Sequence, residues 1–308
     1  MRQTSYAEFV VAQFEEKYCA GRRLKGISTP MDTNEKVVSD EDVVGMPSDM
    51  PSLQEVASSL EGEMWWLSRG TRPDMVAATN RLARRIKDWG REDDKAMYRL
   101  MRSLKGTVSM GLLFRADVRD LASLIAQGEA DADHASDPRT TRSCSGYATL
   151  LAGPRGTKVL VDWSSKTQTA TSRSTGEAEV VACSDATFRS ALPLTAIVER
   201  LVDRRVRVVM GTGASAAHQA IEKGYSKKLA HLDKHQRVSI AATHEVYYAS
   251  LSAPAEADGD EAAGSLNVLH KIGTAENRGD LFTKPLPHEA HWRHVWGLGM
   301  VARPRARL

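Results

Sequence analysis

The strongest constraint in this sequence is a run of acids, Glu129-Ala-Asp-Ala-Asp-His-Ala-Ser-Asp137, which follows an apolar stretch at 121–125. Asp131 and Asp133 are two residues apart, so their side chains share one face if this run is a strand. Carboxylates gathered at a strand end repel one another, and a cation such as Mg²⁺, which prefers carboxylate oxygens, makes such a cluster favourable. The alternative is a solvated acidic turn that ends at Pro138.

Composition limits the classes of protein to which this chain can belong. Its 308 residues are enough for one large domain or two small ones, and 42% of them are hydrophobic, which supports a real core. The net charge of +3 permits nucleic-acid binding without arguing for it. Three widely spaced cysteines form no disulfide framework or zinc pattern, which indicates a reducing compartment.

Neither a membrane span nor a signal peptide is predicted. No stretch approaches the roughly 20 apolar residues that a membrane helix needs. The N-terminus, MRQTSYAEF, has no apolar core of the kind that a signal peptide carries. We therefore expect an intracellular protein, cytoplasmic or nuclear, that is not secreted and has no membrane partner.

Helical periodicity dominates the first third of the chain. It predicts a first helix that ends near Gly21. The polar stretch at 30–50 contains several Pro and Gly residues and is interpreted as a linker. Three further helices are predicted, at 53–68, 73–88 and 92–105.

The pattern changes to strands after residue 121. Two strands, at 145–152 and 157–163, flank Gly153-Pro-Arg-Gly156, which is a hairpin signal. A long helix at 174–202 and a short strand at 206–210 follow. Two further helices are predicted at 214–223 and 231–251. A loop rich in Ala, Gly and acids at 253–264 precedes a strand at 267–272 and a last helix from 277 onward. This order predicts an α/β (α+β) fold with a mixed sheet and helices packed on it.

Three more acids, Glu177, Glu179 and Asp280, fall where helices begin. Glu177 forms a capping box with Ser174 and so has a structural role, whereas Glu179 precedes an apolar continuation and has no such role. Glu179 either favours the helix dipole or points inward, where it needs a cation. Asp280, at the start of the last helix, has the same two alternatives. The sequence therefore predicts that Asp131, Glu179 and Asp280 form a two-metal site for phosphodiester cleavage.

Short motifs follow one another along nearly the whole chain. The second part of the chain contains Asp131-Ala-Asp133, Arg142-Ser-Cys-Ser-Gly-Tyr147, Trp163-Ser-Ser-Lys-Thr-Gln168, Ser174-Thr-Gly-Glu-Ala-Glu179, His231-Leu-Asp233 and the run from Ala275 to Leu286. The first part contains 6–14, Ser28-Thr-Pro-Met31, Thr71-Arg-Pro-Asp74 and Leu104-Lys-Gly-Thr107. In this order the motifs resemble the C-terminal part of the Pol polyprotein of copia-type LTR retrotransposons. The first part resembles the end of its reverse transcriptase and the second its ribonuclease H, with the run at 142–147 one residue shorter than the family's.

The resemblance implies a domain organisation. Residues 118–308 are expected to form a ribonuclease H-like domain, a mixed five-stranded sheet flanked by helices, in which 253–264 is a flexible loop. Residues 1–29 would be a helical remnant of reverse transcriptase, followed by the linker at 30–50. Residues 51–117 would form a helical segment like a polymerase thumb or connection.

The resemblance also implies an activity, which is hydrolysis of RNA in RNA–DNA hybrids. Asp131, Glu179 and Asp280 would hold two Mg²⁺ or Mn²⁺ ions, with Asp133 as a further candidate ligand. His231 matches a family motif and is a candidate active-site histidine; a metal site shared with the histidine at i+4 and an ordinary surface position are the alternatives. Hybrid duplex, or another nucleic acid, would be bound by basic residues that flank the acids in sequence: Arg139, Arg142, Lys166 and Arg173.

Two departures from the family pattern change the expected function. No Tyr-x-Asp-Asp occurs in the sequence, so this chain cannot copy nucleic acid, and the missing polymerase part of Pol is a possible partner. Gly213, in Thr212-Gly-Ala-Ser-Ala216, stands where the family has its third catalytic Asp. We therefore expect weakened or lost hydrolysis; the alternatives are a non-catalytic nucleic-acid-binding module and a decayed transposon fragment.

Overall fold

The computed structural model describes residues 1–33, 50–248 and 267–302. Most of the predicted linker at 30–50 and all of the predicted loop at 253–264 lie outside the described residues, as do the arginines after position 302. None of the described helices is long and apolar enough to cross a membrane.

The chain divides into two compact units. The first comprises Met1–Leu113 and Lys284–Leu308, and the second comprises Phe114–Thr283. Residues 284–308 thus belong to the first unit, which differs from the single domain over 118–308 that the sequence indicated. The reason is that two segments far apart in the chain pair as strands, as described below. No local sequence pattern predicts such a pairing.

The first unit is mainly helical. Its buried core includes the apolar faces of the helices, among them Phe14, Met64, Leu67, Met97 and Met101. The helices are α1 (Thr4–Tyr18), α2 (Ala57–Gly70), α3 (Val76–Ala83) and α4 (Arg91–Gly106), with short 3-10 turns at Pro73–Met75 and Ile86–Asp88. These elements confirm the predicted helices with shifts of a few residues at their ends.

A two-stranded sheet joins the two ends of the first unit. Strand β1 (Met110–Leu112) pairs antiparallel with the last described strand, β7 (Met300–Ala302). Helix α10 (His288–Gly297) precedes β7 and buries His291, His294 and Val295. The predicted last helix from residue 277 is therefore a short turn at Arg278–Phe282 and a separate helix, α10, interrupted by Pro285 and Pro287 as expected.

The second unit is built on a five-stranded mixed sheet. In space its strands follow the order β4-β3-β2-β5-β6, with β2 antiparallel to β3 and parallel to β5. The strands are β2 (Ile125–Asp133), β3 (Cys144–Ala152), β4 (Lys158–Thr167), β5 (Arg207–Thr212) and β6 (Val268–Lys271). The predicted mixed sheet of five strands, with helices around it, is confirmed.

Helices cover the sheet. The long predicted helix is continuous but widens in the middle: α5 (Thr175–Ala186) is followed by a π turn at Thr187–Ala191 and by α6 (Leu192–Val202), whose Pro193 has no backbone N–H to donate. The remaining helices are α7 (Ser215–Glu222), α8 (Leu232–His235) and α9 (Ile240–Tyr248).

The hairpin between β3 and β4 is held by a buried acid. Asp120 is 0% exposed and accepts hydrogen bonds from the backbone N–H groups of Arg155 (2.9 Å) and Thr157 (3.0 Å). These bonds satisfy donors of the turn that a hairpin leaves unpaired. The predicted turn at Gly153–Gly156 is confirmed, and Gly156 adopts φ +101°, which glycine tolerates best.

One acid of the first unit is buried without a partner. Glu61, in α2, is 4% exposed, and neither of its carboxylate oxygens has a hydrogen-bond partner among the residues that the structure describes. Burial raises the pKa of Glu61 to about 9. The folded chain therefore keeps this proton across neutral pH, whereas the unfolded chain releases it near 4.5.

We expect Glu61 to make the protein less stable as pH rises. Between pH 4.5 and 9 the folded state binds one proton more than the unfolded state, so the free energy of unfolding falls by up to about 1.4 kcal/mol per pH unit. Glu61→Gln cannot ionise and should remove this slope, which urea denaturation at pH 5, 7 and 8.5 would measure. The exposed Glu55→Gln is the control and should leave the slope unchanged; equal slopes for wild type and Glu61→Gln would contradict the expectation.

Candidate functional site

The acids of β2 lie on one face of the central strand. Alanines at 126, 130 and 132 face the helices, where Ala130 packs in the same core cluster as Ala178 and Ala182 of α5. Glu129 and Asp131 alternate with them and are 5% and 4% exposed. Period-two alternation therefore separates an apolar face from a face of buried carboxylates. The predicted strand is confirmed, and the alternative of a solvated acidic turn is wrong for these two acids.

A short segment from the far end of the unit covers these carboxylates. Arg278 donates to Glu129 from its backbone N–H (2.7 Å) and from Nε (2.8 Å), and its Nη2 pairs with the second carboxylate oxygen. The hydroxyl of Thr283 donates to Oδ2 of Asp131. Asn277 donates from Nδ2 to the Ala130 carbonyl at 3.1 Å. We call residues 277–283 the docking segment.

The docking segment can approach the sheet because two positions carry no side chain. A Cβ on Gly279 would lie 2.9 Å from the backbone N of Asp131, and a Cβ on Gly146 would lie 2.6 Å from a carbon of Thr283. Gly146 is the partner of Asp131 in the register of β2 and β3. Asp280, which is 3% exposed, follows Gly279 directly, so its backbone belongs to the stretch that approaches Asp131.

Glu179 comes to this end of the sheet on α5. It is 6% exposed. Burial of Cys183 raises the pKa of that thiol to about 12, and the charge of Glu179 contributes to the shift. The start of α5 lies beside the start of α7, because a Cβ on Gly176 would be 3.3 Å from the Cβ of Ala216. Helix α7 follows β5, so the first turn of α5, which precedes Glu179, lies beside the residues that follow Gly213.

The start of α5 is fixed by its neighbours. Ser174 caps it by accepting from the N–H of Glu177 at 3.2 Å, as predicted. Glu177, 0% exposed, accepts from the N–H of Arg173 (2.9 Å) and lies 3.1 Å from Nε2 of His231. His231 thus contacts a capping acid two residues from Glu179. Its role in an active site stays a prediction.

Gly213 follows β5 at the position nearest the acids. The parallel register pairs Ala130 with Thr212, so the next residues, Asp131 and Gly213, follow on neighbouring strands. A Cβ on Gly213 would meet only Asn277, at 3.5 Å from Nδ2, which is ordinary van der Waals contact. The site therefore has room for a side chain at 213, and the sequence supplies none.

The acids do not fit a two-metal site as they stand. Within the described parts of the chain, no group of three or more His, Cys, Asp and Glu side chains is placed to hold a metal ion. Gly213 offers no side-chain oxygen, and one oxygen of Asp131 accepts from Thr283. Asp133, the last residue of β2, is half-buried. We therefore derive no chemical step through Mg²⁺ or Mn²⁺.

Basic side chains surround the same end of the sheet. Asp133 pairs with Cys144, and Cys144 pairs with Thr167, so the end of β2, the start of β3 and the end of β4 lie side by side. The hydroxyl of Thr171 donates to the Thr140 carbonyl (3.4 Å), which joins the loop before β3 to the loop before α5. The four predicted phosphate-binding residues belong to these segments and are all exposed: Arg139, Arg142, Lys166 and Arg173.

Sequence reasoning missed the docking contacts and a second set of cations. Gln236 donates to Ser172 at 2.9 Å, which holds the α8 region beside the loop that carries Arg173. The α8 region has four exposed basic residues, Lys227, Lys228, Lys234 and Arg237. Their clustering between 227 and 237 is the signal that could have identified them. Glu129 and Arg278 are 149 positions apart, so no local pattern could have paired them.

Comparisons with known proteins identify the family. No family model matches this chain. The retrovirus-related Pol polyprotein from transposon TNT 1-94 of Nicotiana tabacum is 27% identical over 288 residues, which are 93% of this chain and 19% of the polyprotein. The chain belongs to the Pol polyproteins of copia-type retrotransposons. It spans less than a fifth of the tobacco Pol polyprotein, so the activities of a whole Pol cannot be transferred to it.

Shorter relatives match parts of this Pol chain. A secreted RxLR effector protein of Plasmopara viticola is 36% identical over 42% of this chain and 84% of its own length. An uncharacterized mitochondrial protein of Arabidopsis thaliana is 28% identical over 58% of this chain and 65% of its own length. Among solved structures, a ribonuclease H1 isolated from compost by a metagenomic approach is 17% identical with a TM-score of 0.31, covering 56% of this chain and 97% of the ribonuclease.

We expect the pair of Glu129 and Arg278 to anchor the docking segment of this Pol chain. The two side chains are 7% and 12% exposed, so removing one partner leaves a charge with little water, which costs about 3–5 kcal/mol. Arg278→Gln or Glu129→Gln should lower the free energy of unfolding by about that amount and speed amide exchange across 277–283. The double variant should recover part of the loss.

The control for this pair is an ion pair on the surface of the same unit. Arg119 pairs with Asp117, and the Arg119 side chain is 67% exposed, so water screens this pair and Arg119→Gln should change the free energy of unfolding far less than Arg278→Gln does. If Arg278→Gln costs no more than Arg119→Gln and leaves amide exchange at 277–283 unchanged, the anchoring role is wrong.

Proposed function

We propose that the second unit is a ribonuclease H-like domain whose inherited activity is hydrolysis of RNA in RNA–DNA hybrids, and that this activity is weakened or lost. One observation carries the proposal: Gly213 follows the strand beside Asp131 and faces space that a side chain would fill. An acid at that point would add a carboxylate to the face of Asp131 and Asp280. The proposed catalytic acids remain Asp131, Glu179 and Asp280.

Metal dependence and partners are part of this proposal. The proposed cofactors of a restored site are two Mg²⁺ or Mn²⁺ ions, which prefer carboxylate oxygens. The proposed substrate is an RNA–DNA hybrid, and polymerase activity would come from another part of Pol. Intracellular placement stays a prediction, since one relative is named as a secreted effector.

We expect Gly213→Asp to restore cleavage. Each 1.4 kcal/mol of transition-state stabilisation is about tenfold in rate, so a regained carboxylate should raise hybrid cleavage by tenfold or more in Mg²⁺ or Mn²⁺. The backbone at 213 does not require glycine, because its φ lies outside the left-handed region and the nearest atom to a Cβ is 3.5 Å away. The measurement is cleavage of a labelled hybrid by wild type and variant side by side.

Two further variants make this test specific. Gly213→Asn has the same shape as Gly213→Asp without the charge and should stay as slow as wild type. Glu179→Gln added to Gly213→Asp should abolish the gain. Robust cleavage by wild type that Glu179→Gln abolishes would show that the missing acid is dispensable. A folded but inactive Gly213→Asp would mean that hydrolysis was lost elsewhere in the site.

A second candidate function is binding without cleavage. It is favoured by the exposed cations at the end of the sheet and in the α8 region, which suit the phosphates of a duplex. A decayed fragment with no selected role is the third candidate, and for that candidate we expect neither cleavage nor salt-dependent binding.

We expect hybrid binding to weaken steeply with salt. If about four cations contact phosphates, affinity should fall by about 100-fold between about 50 and 200 mM salt. Arg142→Gln and Lys166→Gln should each lower the slope of log affinity against log salt by about one. The control is Arg207→Gln, an exposed residue that pairs with Ile125 at the opposite end of β2. Affinity that does not change with salt would argue against phosphate contacts.

A further inference from the structure

The last helix of the first unit carries a stripe of rings that lies outside its core. His288, Trp292 and Trp296 recur every four residues along α10 and so lie along one side of the helix. The ring centroids of Trp292 and Trp296 are 5.1 Å apart, and those of His288 and Trp292 are 6.4 Å apart. We call these three residues the α10 aromatic stripe.

The stripe faces solvent rather than the interior. Trp296 is 49% exposed, His288 is exposed and Trp292 is half-buried, whereas the residues of α10 that enter the core are His291, His294 and Val295. Trp292 also packs edge-on against the buried ring of His291, with the ring centroids 5.6 Å apart, so it is partly held by the core. Trp296 is the exposed tryptophan of the stripe, and its ring lies beside that of Trp292 with the two planes tilted by 33°.

Exposed cations occur on α10 and on the chain segment that contacts its first ring. Arg293 is exposed and precedes Trp296 by three residues, so the two are neighbours on the helix surface. At the other end, Nδ1 of His288 is 2.9 Å from the hydroxyl of Ser28, and Lys25, three residues before Ser28, is exposed. The carbonyl of Lys25 accepts from Nε of Arg102 at 2.9 Å, which brings a further guanidinium to the same segment.

We propose that the α10 aromatic stripe binds single-stranded nucleic acid. Bases would stack on Trp296 and Trp292, and phosphates would lie near Arg293 and Lys25. Rings flanked by cations suit this ligand because every base has a π-face and every nucleotide a phosphate. The proposal does not depend on hydrolysis, because no residue of the second unit takes part.

The test measures binding of a labelled oligodeoxythymidine of about 10 nucleotides to the full chain by fluorescence anisotropy. Losing one stacked base should weaken affinity by about 5- to 100-fold in Trp296→Ala. Trp296→Phe keeps a ring and should retain most of the affinity. Arg293→Gln should lower the salt dependence of binding without removing it. Thermal unfolding of each variant would confirm that the first unit stays folded.

The matched control is Trp66→Ala, which removes a tryptophan of α2 that is 65% exposed. Trp66→Ala should bind the oligonucleotide as wild type does. An equal loss in Trp66→Ala and Trp296→Ala would mean non-specific apolar binding, and an unchanged Trp296→Ala would overturn the proposal directly. If Trp296→Ala alters only the sedimentation of the free chain, the stripe is an interface between two copies and the proposal is wrong.

Discussion

The second unit depends on the docking of 277–283 against the central strand. Glu129 and Asp131 of β2 are buried, and a buried charge is tolerated only with a partner. Arg278 supplies that partner to Glu129, and Thr283 supplies a hydroxyl to Asp131. Since both donors belong to one short segment, the acidic strand and the end of the unit are stable only together.

The same docking arranges the candidate site. Asn277 holds the backbone of Ala130 and lies 3.5 Å from where a Cβ on Gly213 would be, and Asp280 enters beside Asp131 because Gly279 leaves space. These contacts remain in place although position 213 carries no acid. These contacts do not involve a side chain at 213, which explains how the fold can persist with glycine at that position.

Sequence patterns predicted the structural features that depend on interactions between residues close together in the chain. Period-two alternation predicted β2, and the capping box placed Ser174 at the start of α5, because both depend on residues a few positions apart. Motif order predicted the family. Two long-range contacts could not be predicted: the strand pairing of Met110 with Ala302 and the ion pair of Glu129 with Arg278. Contacts between residues so far apart in the chain leave no local sequence pattern. Gly213 could be recognised only because the family pattern places an acid there.

Two buried glutamates show how a partner decides the behaviour of a carboxyl group. Glu61 has no partner within the described chain, and burial raises its pKa to about 9, whereas Glu129 is paired with a guanidinium. Burial lowers the pKa of Lys158, and the positive charge of Arg278 lowers it further. Arg278 is already engaged by Glu129. A carboxylate added at 213 would therefore need its cation from solution, so dependence on a divalent ion should arise with that acid rather than precede it.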